Sequence, residues 1–302
     1  MEIPMHKLLR KIYYTLVKSP LNQILAPVVH EMYTLHYVLQ SIFLKVSGER
    51  LPSEDDILLM KEQVTFIYKS FQRQKMAVQL YKNIQKFYPG VSVIIADDSQ
   101  KPLNLQDDYV KVIQLPFNSG LSKGINFALA EVRTPFVIRM DDDELLTLRT
   151  NFHHQLRFLL AHPEADLVAV HCCGALRPCS LKKSATSYQK FSMNNALKKL
   201  KIPHLTYLDD THAVYGKVPQ VFVARTEAIR SVGYDDNIRM IDHHEFFFRA
   251  AGKIVYVLAL DSFVFHRHNH FDRDYSKYRS DIAKDKAYIS SKIALLRKNM
   301  IE

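Results

Sequence analysis

The chain has 302 residues, and its 41 Lys and Arg against 31 Asp and Glu give a formal charge of +10. Hydrophobic residues make up 47%, with only 8 Gly and 12 Pro, so a disordered, collagen-like or linker-dominated chain is excluded. The positive charge indicates an anionic partner. The sequence has no helix-turn-helix, zinc-finger or RNA-binding signature, which argues against nucleic acid.

Residues 1–60 differ in character from the rest of the chain. Lys7, Arg10 and Lys11 lie among apolar residues at helical spacing. The apolar stretch at 21–46 is interrupted by charged and imidazole groups, so it is a poor membrane span. The sequence predicts an N-terminal helical extension that either packs on the main domain or lies along a membrane surface.

Short apolar runs alternate with helical segments after residue 60. This alternation is typical of an α/β domain with a mainly parallel sheet. We predict strands at 64–68, 91–96, 110–115, 135–140 and 165–171, and helices at 74–87, 122–132 and 151–161.

Acidic residues follow two of these strands. Asp97 and Asp98 end the second, and Asp141, Asp142 and Asp143 end the fourth. Open α/β sheets bind ligands at the carboxyl ends of their strands. Adjacent carboxylates raise each other's pKa, and a divalent cation removes that cost. If the segment is extended, Asp141 and Asp143 point to the same side, which predicts an Asp-x-Asp site for Mg²⁺ or Mn²⁺. The alternative is a solvated acidic turn.

The segment from Asn118 to Ala128 places small residues and an N-cap ahead of a predicted helix. Such a helix start can receive a phosphate group. The segment lacks the spacing of a P-loop or of a dinucleotide-binding motif. The alternative is an ordinary loop before a capped helix.

Imidazoles alternate near the C-terminus, at His266, His268 and His270. In an extended segment they share one face, which favours metal ligation or phosphate contact by a histidine of this region. The alternative is that most of the three are surface residues.

Acidic and imidazole groups also precede an aromatic helical stretch. Asp242 and Glu245 are three residues apart and would share a helix face, beside His243. A carboxylate or imidazole placed there suits a general base. A capping box, with Asp242 as N-cap, is the structural alternative and is compatible with catalysis.

The cysteines Cys172, Cys173 and Cys179 fall within eight positions. This spacing is not that of a secreted disulfide framework, so a reducing compartment is favoured. With no signal peptide recognised, the expected location is the cytoplasm, with peripheral contact on the inner membrane face. For a shortened eukaryotic chain, the Golgi lumen stays open.

Taken in order, these motifs resemble those of inverting glycosyltransferases with the GT-A fold. The resemblance is to the family-2-like type that includes β-1,4-N-acetylgalactosaminyltransferases, and it covers about residues 62–270. It implies a Rossmann-like, nucleotide-sugar-binding mixed sheet flanked by helices over 61–302. Residues 61–175 would be the nucleotide-sugar-binding half and 176–302 the acceptor half.

The resemblance also implies roles for individual residues. Asp143 would bind Mn²⁺ or Mg²⁺ directly, with Asp141 nearer the ribose or sugar, and His266 would complete the metal site. Asp97 or Asp98 would face the uracil and ribose of a UDP-sugar. The implied donor-binding residues are Asp97, Asp98, Ser99, Asn118, Gly120, Ser122, Asn126, Asp141 and Asp142.

For the base that deprotonates the acceptor, the resemblance points to Asp242, then Glu245, then His243. The chain departs from the common Glu-Asp pair at this motif by having Asp242-His243, which leaves the base open among the three.

The predicted function is metal-dependent, inverting transfer of GalNAc, Gal or GlcNAc from a UDP-sugar to a glycan or glycolipid hydroxyl. A cation stabilises the diphosphate leaving group, and one base on the opposite side of the sugar suffices for a single displacement. The alternatives are a nucleotidyltransferase of similar fold and a non-catalytic carbohydrate-binding protein.

Overall fold

The computed structural model describes residues 19–174, 199–267 and 282–298, together with Thr15, Tyr275, Lys277 and Tyr278. Its helices are α1 (Asn22–Val46), α2 (Glu54–Gln63), α3 (Gln74–Phe87), α4 (Leu121–Glu131), α5 (Phe152–Ala161), α6 (Thr226–Val232), α7 (His243–Ala250) and α8 (Ile282–Lys298). Its strands are β1 (Val64–Ser70), β2 (Ser92–Asp97), β3 (Val110–Gln114), β4 (Phe136–Asp141), β5 (Glu144–Leu146), β6 (Leu167–Gly174), β7 (His212–Val214), β8 (Phe222–Arg225) and β9 (Tyr256–His266).

The described strands form one mixed sheet in the order β3-β2-β1-β4-β8-β6-β9-β5, with β7 paired to β9. Strands β1 to β4 are parallel to one another. From β8 onward the direction changes, because β8 is antiparallel to both β4 and β6. The sheet is therefore parallel on the side where the acidic strand ends lie and mixed beyond it.

Apolar layers cover both faces of the sheet. Side chains of α3 and α5, including Leu80, Ile84 and Leu156, form one layer. Side chains of α4 and α7, including Ile125 and Phe246, form the other. Strands buried on both faces account for the continuous apolar runs in the sequence.

The predicted strands and helices agree with those observed, with shifts of one to three residues at their ends. The α/β class with a mixed sheet and helices in the N-terminal part is confirmed.

The expectation, drawn from their spacing, that the cysteines form no disulfide is wrong for Cys173. Cys173 is disulfide-bonded, whereas Cys172 is a free thiol that donates to Glu144 Oε1 at 3.3 Å. Spacing along the chain misled the prediction, because a disulfide requires only that two Cβ atoms approach in space.

Helix α1 lies against the β5 and β9 end of the sheet. Tyr33 packs on Phe265 and Leu145, and the hydroxyl of Tyr37 donates to the carbonyl of Leu146 at 2.7 Å. Among the described residues, no helix combines the length and the apolar character that crossing a membrane requires.

Candidate active site

The parallel strands bring the acidic segments to one edge of the sheet. In the β1–β2 register Ser70 lies beside Asp97, and in the β1–β4 register Lys69 lies beside Asp141. A cavity of about 240 Å³ opens at this edge. Its described lining is Lys69, Phe71, Arg73, Asn118, Gly120, Leu121, Asp141, Asp142, Asp143, Arg239, Met240, His243, His266, Tyr275 and Tyr278.

The three aspartates line the cavity but do not alternate as predicted. Strand β4 ends at Asp141, and Asp142 and Asp143 form a turn. The Asp141 carboxylate lies 3.3 Å from Arg139, whereas Arg73 contacts Asp142 and lies 3.1 Å from Asp143. The extended backbone stops at Asp141, so Asp142 and Asp143 do not alternate along a strand, but Asp141 and Asp143 both line the cavity.

The repulsion expected between adjacent carboxylates appears as raised pKa values. Burial, together with the neighbouring carboxylates, raises the pKa of Asp142 to about 7 even though Arg73 opposes this shift. Burial and Asp141 raise the pKa of Glu144 to about 8. The acidic turn therefore holds negative charge that a cation would stabilise.

Pairing of β5 with β9 brings His266 to the acidic turn. Glu144 is the register partner of His266, and the Arg267 backbone N–H donates to the Asp143 carbonyl at 2.8 Å. Nε2 of His266 then lies 3.5 Å from Oδ1 of Asp143. Burial lowers the pKa of His266, but Asp143 outweighs it and raises the value to about 9. His268 and His270 lie outside the described residues.

Two of the three predicted metal ligands face each other. Asp143 supplies a carboxylate, which suits Mn²⁺ and Mg²⁺, and His266 an imidazole, which suits transition-metal cations. Asp141 is turned toward Arg139 instead. Over the described ranges no group of three His, Cys, Asp or Glu is arranged around a common point. The Asp143 and His266 pair fits a cation whose remaining ligands come from a diphosphate and water.

Asp97 and Asp98, at the end of β2, accept hydrogen bonds from the loops around the cavity. Asp97 accepts from the Ser99 hydroxyl at 2.6 Å and from the Leu103 N–H at 2.8 Å. Asp98 pairs with Lys69 at 2.5 Å and accepts from the Gly120 N–H at 3.0 Å. None of Asp97, Asp98 and Ser99 lines the cavity, and all three are buried.

Of the residues predicted in the following loop and helix, Asn118 and Gly120 line the cavity. Gly120, one of the small residues predicted ahead of the helix, is the N-cap of α4 at φ +104°, and no side chain makes a cap hydrogen bond. Ser122 is buried within α4. Asn126 donates to the Tyr234 carbonyl at 2.8 Å and to Asp236 at 2.7 Å, which connects α4 to the segment before α7.

Asp242 and His243 form a pair at the start of α7. Asp242 is buried, with one oxygen 3.3 Å from Arg139 and the other 2.9 Å from Nδ1 of His243. Burial raises the pKa of Asp242, but Arg139 and His243 outweigh it and lower the value. His243 lines the cavity, with 40% of its side chain exposed. The ring thus lies beside a buried carboxylate and lines the cavity.

Glu245 faces the opposite way. Arg249 and Lys292 engage its carboxylate, with Lys292 at 2.5 Å, and Glu245 does not line the cavity. The predicted capping box is wrong, because Asp242 has helical backbone angles and makes no side-chain cap bond. Glu245 therefore connects α7 to α8 rather than facing the cavity.

No motif in the sequence singled out the basic residues of the cavity. Lys69 and Arg73 lie at and just beyond the end of β1, and Arg239 precedes α7. The Arg73 guanidinium lies over the Tyr275 ring at 3.9 Å. The rule that ligands bind at the carboxyl ends of parallel strands would have selected residues 69–73, since β1 lies between the two acidic strands.

A sheet of this order, with an acidic turn and basic side chains around a cavity at its parallel edge, has the architecture of the GT-A class. A sequence model described as Glycosyl transferase family 2 matches residues 65–215, half of the chain, and the chain belongs to that family. The predicted family and the predicted enzyme class, glycosyltransferase, are confirmed.

Two relatives carry the same family resemblance. Mouse beta-1,4 N-acetylgalactosaminyltransferase 2 is 31% identical over 201 residues, covering 65% of this chain and 38% of the relative. Human beta-1,4 N-acetylgalactosaminyltransferase 1 is 33% identical over 200 residues, covering 63% of this chain and 36% of the relative. The chain thus matches less than two fifths of the length of either relative.

A solved structure supports the fold. The crystal structure of S. aureus TarS 1-349 matches with a TM-score of 0.50 at 17% identity, covering 68% of this chain and 60% of the TarS 1-349 chain. At that identity the likeness shows the fold alone, and the GT-A fold predicted above is confirmed.

Proposed function

We propose that the chain transfers a sugar of the GalNAc, Gal or GlcNAc type from a UDP-sugar to a hydroxyl of a glycan or glycolipid, with inversion at the anomeric carbon. The observation that carries this proposal is the cavity that combines Asp143, His266, Arg73 and the Asp242–His243 pair. Family membership supports sugar transfer. The names of the relatives support an N-acetylhexosamine donor.

The basic side chains support an anionic donor. Lys69, Arg73 and Arg239 line the cavity. The planar guanidinium of Arg73 can bind two phosphate oxygens at once, in a bidentate manner. In the structure it binds Asp142 and Asp143, so it is held where a diphosphate meets the acidic turn. We infer that these residues bind and orient the diphosphate.

Asp143 and His266 would hold the divalent cation, Mn²⁺ or Mg²⁺. When bound, the cation neutralises charge on the diphosphate and so makes UDP a better leaving group. Asp141 contributes by fixing Arg139 rather than by ligation, since its carboxylate faces that guanidinium.

His243 is the residue that takes the acceptor proton. Oδ1 of Asp242 lies 2.9 Å from Nδ1 of His243. A proton on Nδ1 faces this carboxylate, which leaves Nε2 as the basic nitrogen. The acceptor hydroxyl gives its proton to Nε2 while its oxygen bonds to the anomeric carbon. The bond from that carbon to the diphosphate oxygen breaks, and UDP leaves with the electron pair. Asp242 is a positioning residue, because it is buried behind the ring.

Substitution of His243 tests this assignment. We expect His243→Asn to lower kcat by about 100-fold or more, since a general base contributes roughly 10²–10⁴, while UDP affinity measured by calorimetry stays within about twofold. His244→Asn is the matched control, because His244 is the exposed neighbouring imidazole and does not line the cavity. Equal kcat values for the two variants would reject His243 as the base.

A donor panel tests the transfer itself. UDP-, GDP- and CMP-sugars and nucleoside triphosphates are each supplied with Mn²⁺ or with a chelator, and the products are identified. Among these donors, we expect only UDP-sugars to be turned over. We expect Asp143→Asn to abolish this turnover. In calorimetry, the same variant should lose the Mn²⁺ dependence of UDP binding. Turnover of nucleoside triphosphates would instead indicate a nucleotidyltransferase, and sugar binding without turnover a binding protein.

A further inference from the structure

Helix α1 presents a continuous apolar face that nothing in the described chain covers. Two sets of side chains form it, and together we call them the α1 seam. One set is Leu21, Val28, Leu35 and Ile42, and the other is Leu25, Met32, Leu39 and Val46. All are exposed except the half-buried Leu25, and Leu35 and Val46 are 61% and 81% exposed.

The seam has the spacing of a coiled coil. Taken in chain order, its eight residues alternate steps of four and three without interruption. An apolar residue at every first and fourth heptad position, kept over more than three heptads, is the pattern of two helices that supercoil around each other. Leu25, Met32, Leu39 and Val46 occupy position a, and the other four occupy position d.

The helix is already fixed to its own domain by a different face. Tyr33 and Leu44 are buried against the sheet end, and Tyr37 and Val29 pack around Phe265. The Tyr37 hydroxyl is bonded to the Leu146 carbonyl. The domain therefore holds α1 rigidly while the seam points away from it, so a partner helix would meet a preformed surface.

The flanking residues favour a second copy in parallel orientation. In a parallel pair, position g of one helix faces position e of the other five residues further along. This rule sets Glu31 of one copy against His36 of the other, and Val38 against Phe43. Acid thus meets imidazole and apolar meets apolar.

The exposed area is also of the right size. At roughly 100 Å² for each half-exposed side chain, the seam with Ile24, Val38 and Phe43 exposes on the order of 1,000 Å², above the 300–600 Å² typical of a monomer's largest patch. A standard interface buries about 800 Å² per partner.

A lipid surface matches the helix less well. Helices that lie in a membrane interface carry Lys and Arg beside their apolar face. Between Asn22 and Val46 the acidic and basic residues are Glu31, Lys45 and the two imidazoles His30 and His36, so Lys45 is the only Lys or Arg. The membrane contact predicted from the sequence for residues 1–60 therefore finds little support on α1.

We propose that the chain forms a homodimer in which the α1 seams of two copies pair as a parallel two-stranded coiled coil. This pairing does not depend on the proposed sugar transfer, and it leaves the cavity of each copy open because α1 does not line it.

Light scattering of the full chain after size exclusion tests the dimer. We expect twice the chain mass at micromolar concentration for the wild type, and a monomer for Leu35→Glu with an unchanged circular dichroism spectrum. Thr34→Glu is the matched control: it lies one residue away on the same helix, is exposed outside the seam, and should stay dimeric. A monomeric wild type, or a dimeric Leu35→Glu, overturns the proposal.

Cysteine cross-linking tests the orientation. Ile42→Cys places the same position of two copies together in a parallel pair, so oxidation should give a covalent dimer that the wild type does not form. In an antiparallel pair overlapping over 21–46, the two introduced sulfurs would be separated by about 17 residues, or roughly 25 Å, and no cross-link would form.

Vesicle flotation tests the lipid alternative. Vesicles of phosphatidylcholine with phosphatidylglycerol are mixed with the wild type and Leu35→Glu. We expect neither protein to float. Flotation of a monomeric wild type that Leu35→Glu abolishes would assign the seam to lipid and reject the homodimer.

Discussion

Two glycines with positive φ offer a matched pair of substitutions. Gly48 has φ +95°, and a Cβ added there would meet no atom within 4 Å, whereas at Gly120, φ +104°, a Cβ would lie 3.2 Å from Arg239 Cα. We expect Gly48→Ala to lower the free energy of unfolding by about 1–2 kcal/mol through backbone strain alone. Gly120→Ala should cost about 3 kcal/mol or more, because strain and overpacking add. Urea denaturation measures both, and equal costs would contradict the close contact.

Asp56 gives a prediction about pH. It closes the capping box at Ser53, and Arg157 donates to it at 2.8 Å. Although burial raises the pKa of Asp56, the Ser53 and Arg157 bonds lower it from 3.8 to about 2. Because the pKa of Asp56 is lower in the folded state than in the unfolded state, the ionised carboxylate stabilises the fold above about pH 4. This stabilisation is lost as the pH falls toward 2.

Asp56→Asn should therefore lower the free energy of unfolding by about 1–2 kcal/mol at pH 7, and by progressively less between about pH 4 and pH 2. Asp55→Asn is the control, since Asp55 is exposed in the same helical turn. Urea denaturation at several pH values measures the difference. A cost for Asp56→Asn that stays constant down to about pH 3 would show that the carboxylate is not stabilised in this way.

At the residue scale, the sequence indicated which segments supply the cavity but not which side chains face it. Asp143, His243 and His266 were among the predicted residues, and all three line the cavity. Glu245 and Asn126 were also predicted, yet their partners lie in α8 and in the segment before α7. Such orientations depend on long-range packing, which local spacing does not encode.

At the scale of elements, α8 supports the cavity through one carboxylate. Asp285 is buried and accepts from the backbone N–H groups of Arg239 at 3.1 Å, Met240 at 2.8 Å and Ile241 at 3.3 Å. Arg239 and Met240 line the cavity. The carboxylate thus fixes the backbone from which these two side chains extend.

Asp285→Asn should weaken this connection, because a neutral amide replaces a charged acceptor of three N–H groups. We expect faster hydrogen exchange at residues 239–241 and a donor KM raised about tenfold, as for the loss of about 1.4 kcal/mol of binding. Lys286→Gln, at an exposed position of α8, should change neither. Unchanged hydrogen exchange at residues 239–241 in Asp285→Asn would show that α8 does not stabilise this side of the cavity.

Elements with strong periodicity were predictable, and elements defined by pairing were not. Strands β1, β2 and β4 appear in the sequence as apolar runs because both of their faces are buried. The pairing of β5 with β9 joins residues about 120 positions apart. That pairing brings His266 to Asp143, and no local pattern reports its register.

At the scale of the whole molecule, Tyr37 joins α1 to the main domain. Its hydroxyl donates to the Leu146 carbonyl and accepts from Asn83 at 2.9 Å. Tyr37→Phe leaves the part-buried amide of Asn83 without this acceptor. We therefore expect the free energy of unfolding to fall by about 1–2 kcal/mol. Ser41→Ala is the comparison, since its hydroxyl bonds only within α1. If the two variants lose the same free energy, the bond does not fix α1 to the domain.

The architecture of the whole molecule could be predicted from the sequence. The mixed sheet and the flanking helices follow from the alternation of apolar runs. The boundary at residue 60 and the division near residue 175 stay predictions. Helix α1 packs on the sheet end through few apolar side chains, which composition alone does not reveal.

The buried guanidinium of Arg139 has a consequence for building hybrid enzymes. Arg139 lies in β4, and its counter-charge Asp242 comes from 103 residues further along the chain, with the Gln220 carbonyl as another acceptor. A chimaera that takes its C-terminal part from another family member keeps Arg139 and Asp141, but the buried acid at position 242 must come from the incoming segment. Such swaps should be more stable when that segment supplies the acid, because removing one partner of a buried charge pair is destabilising.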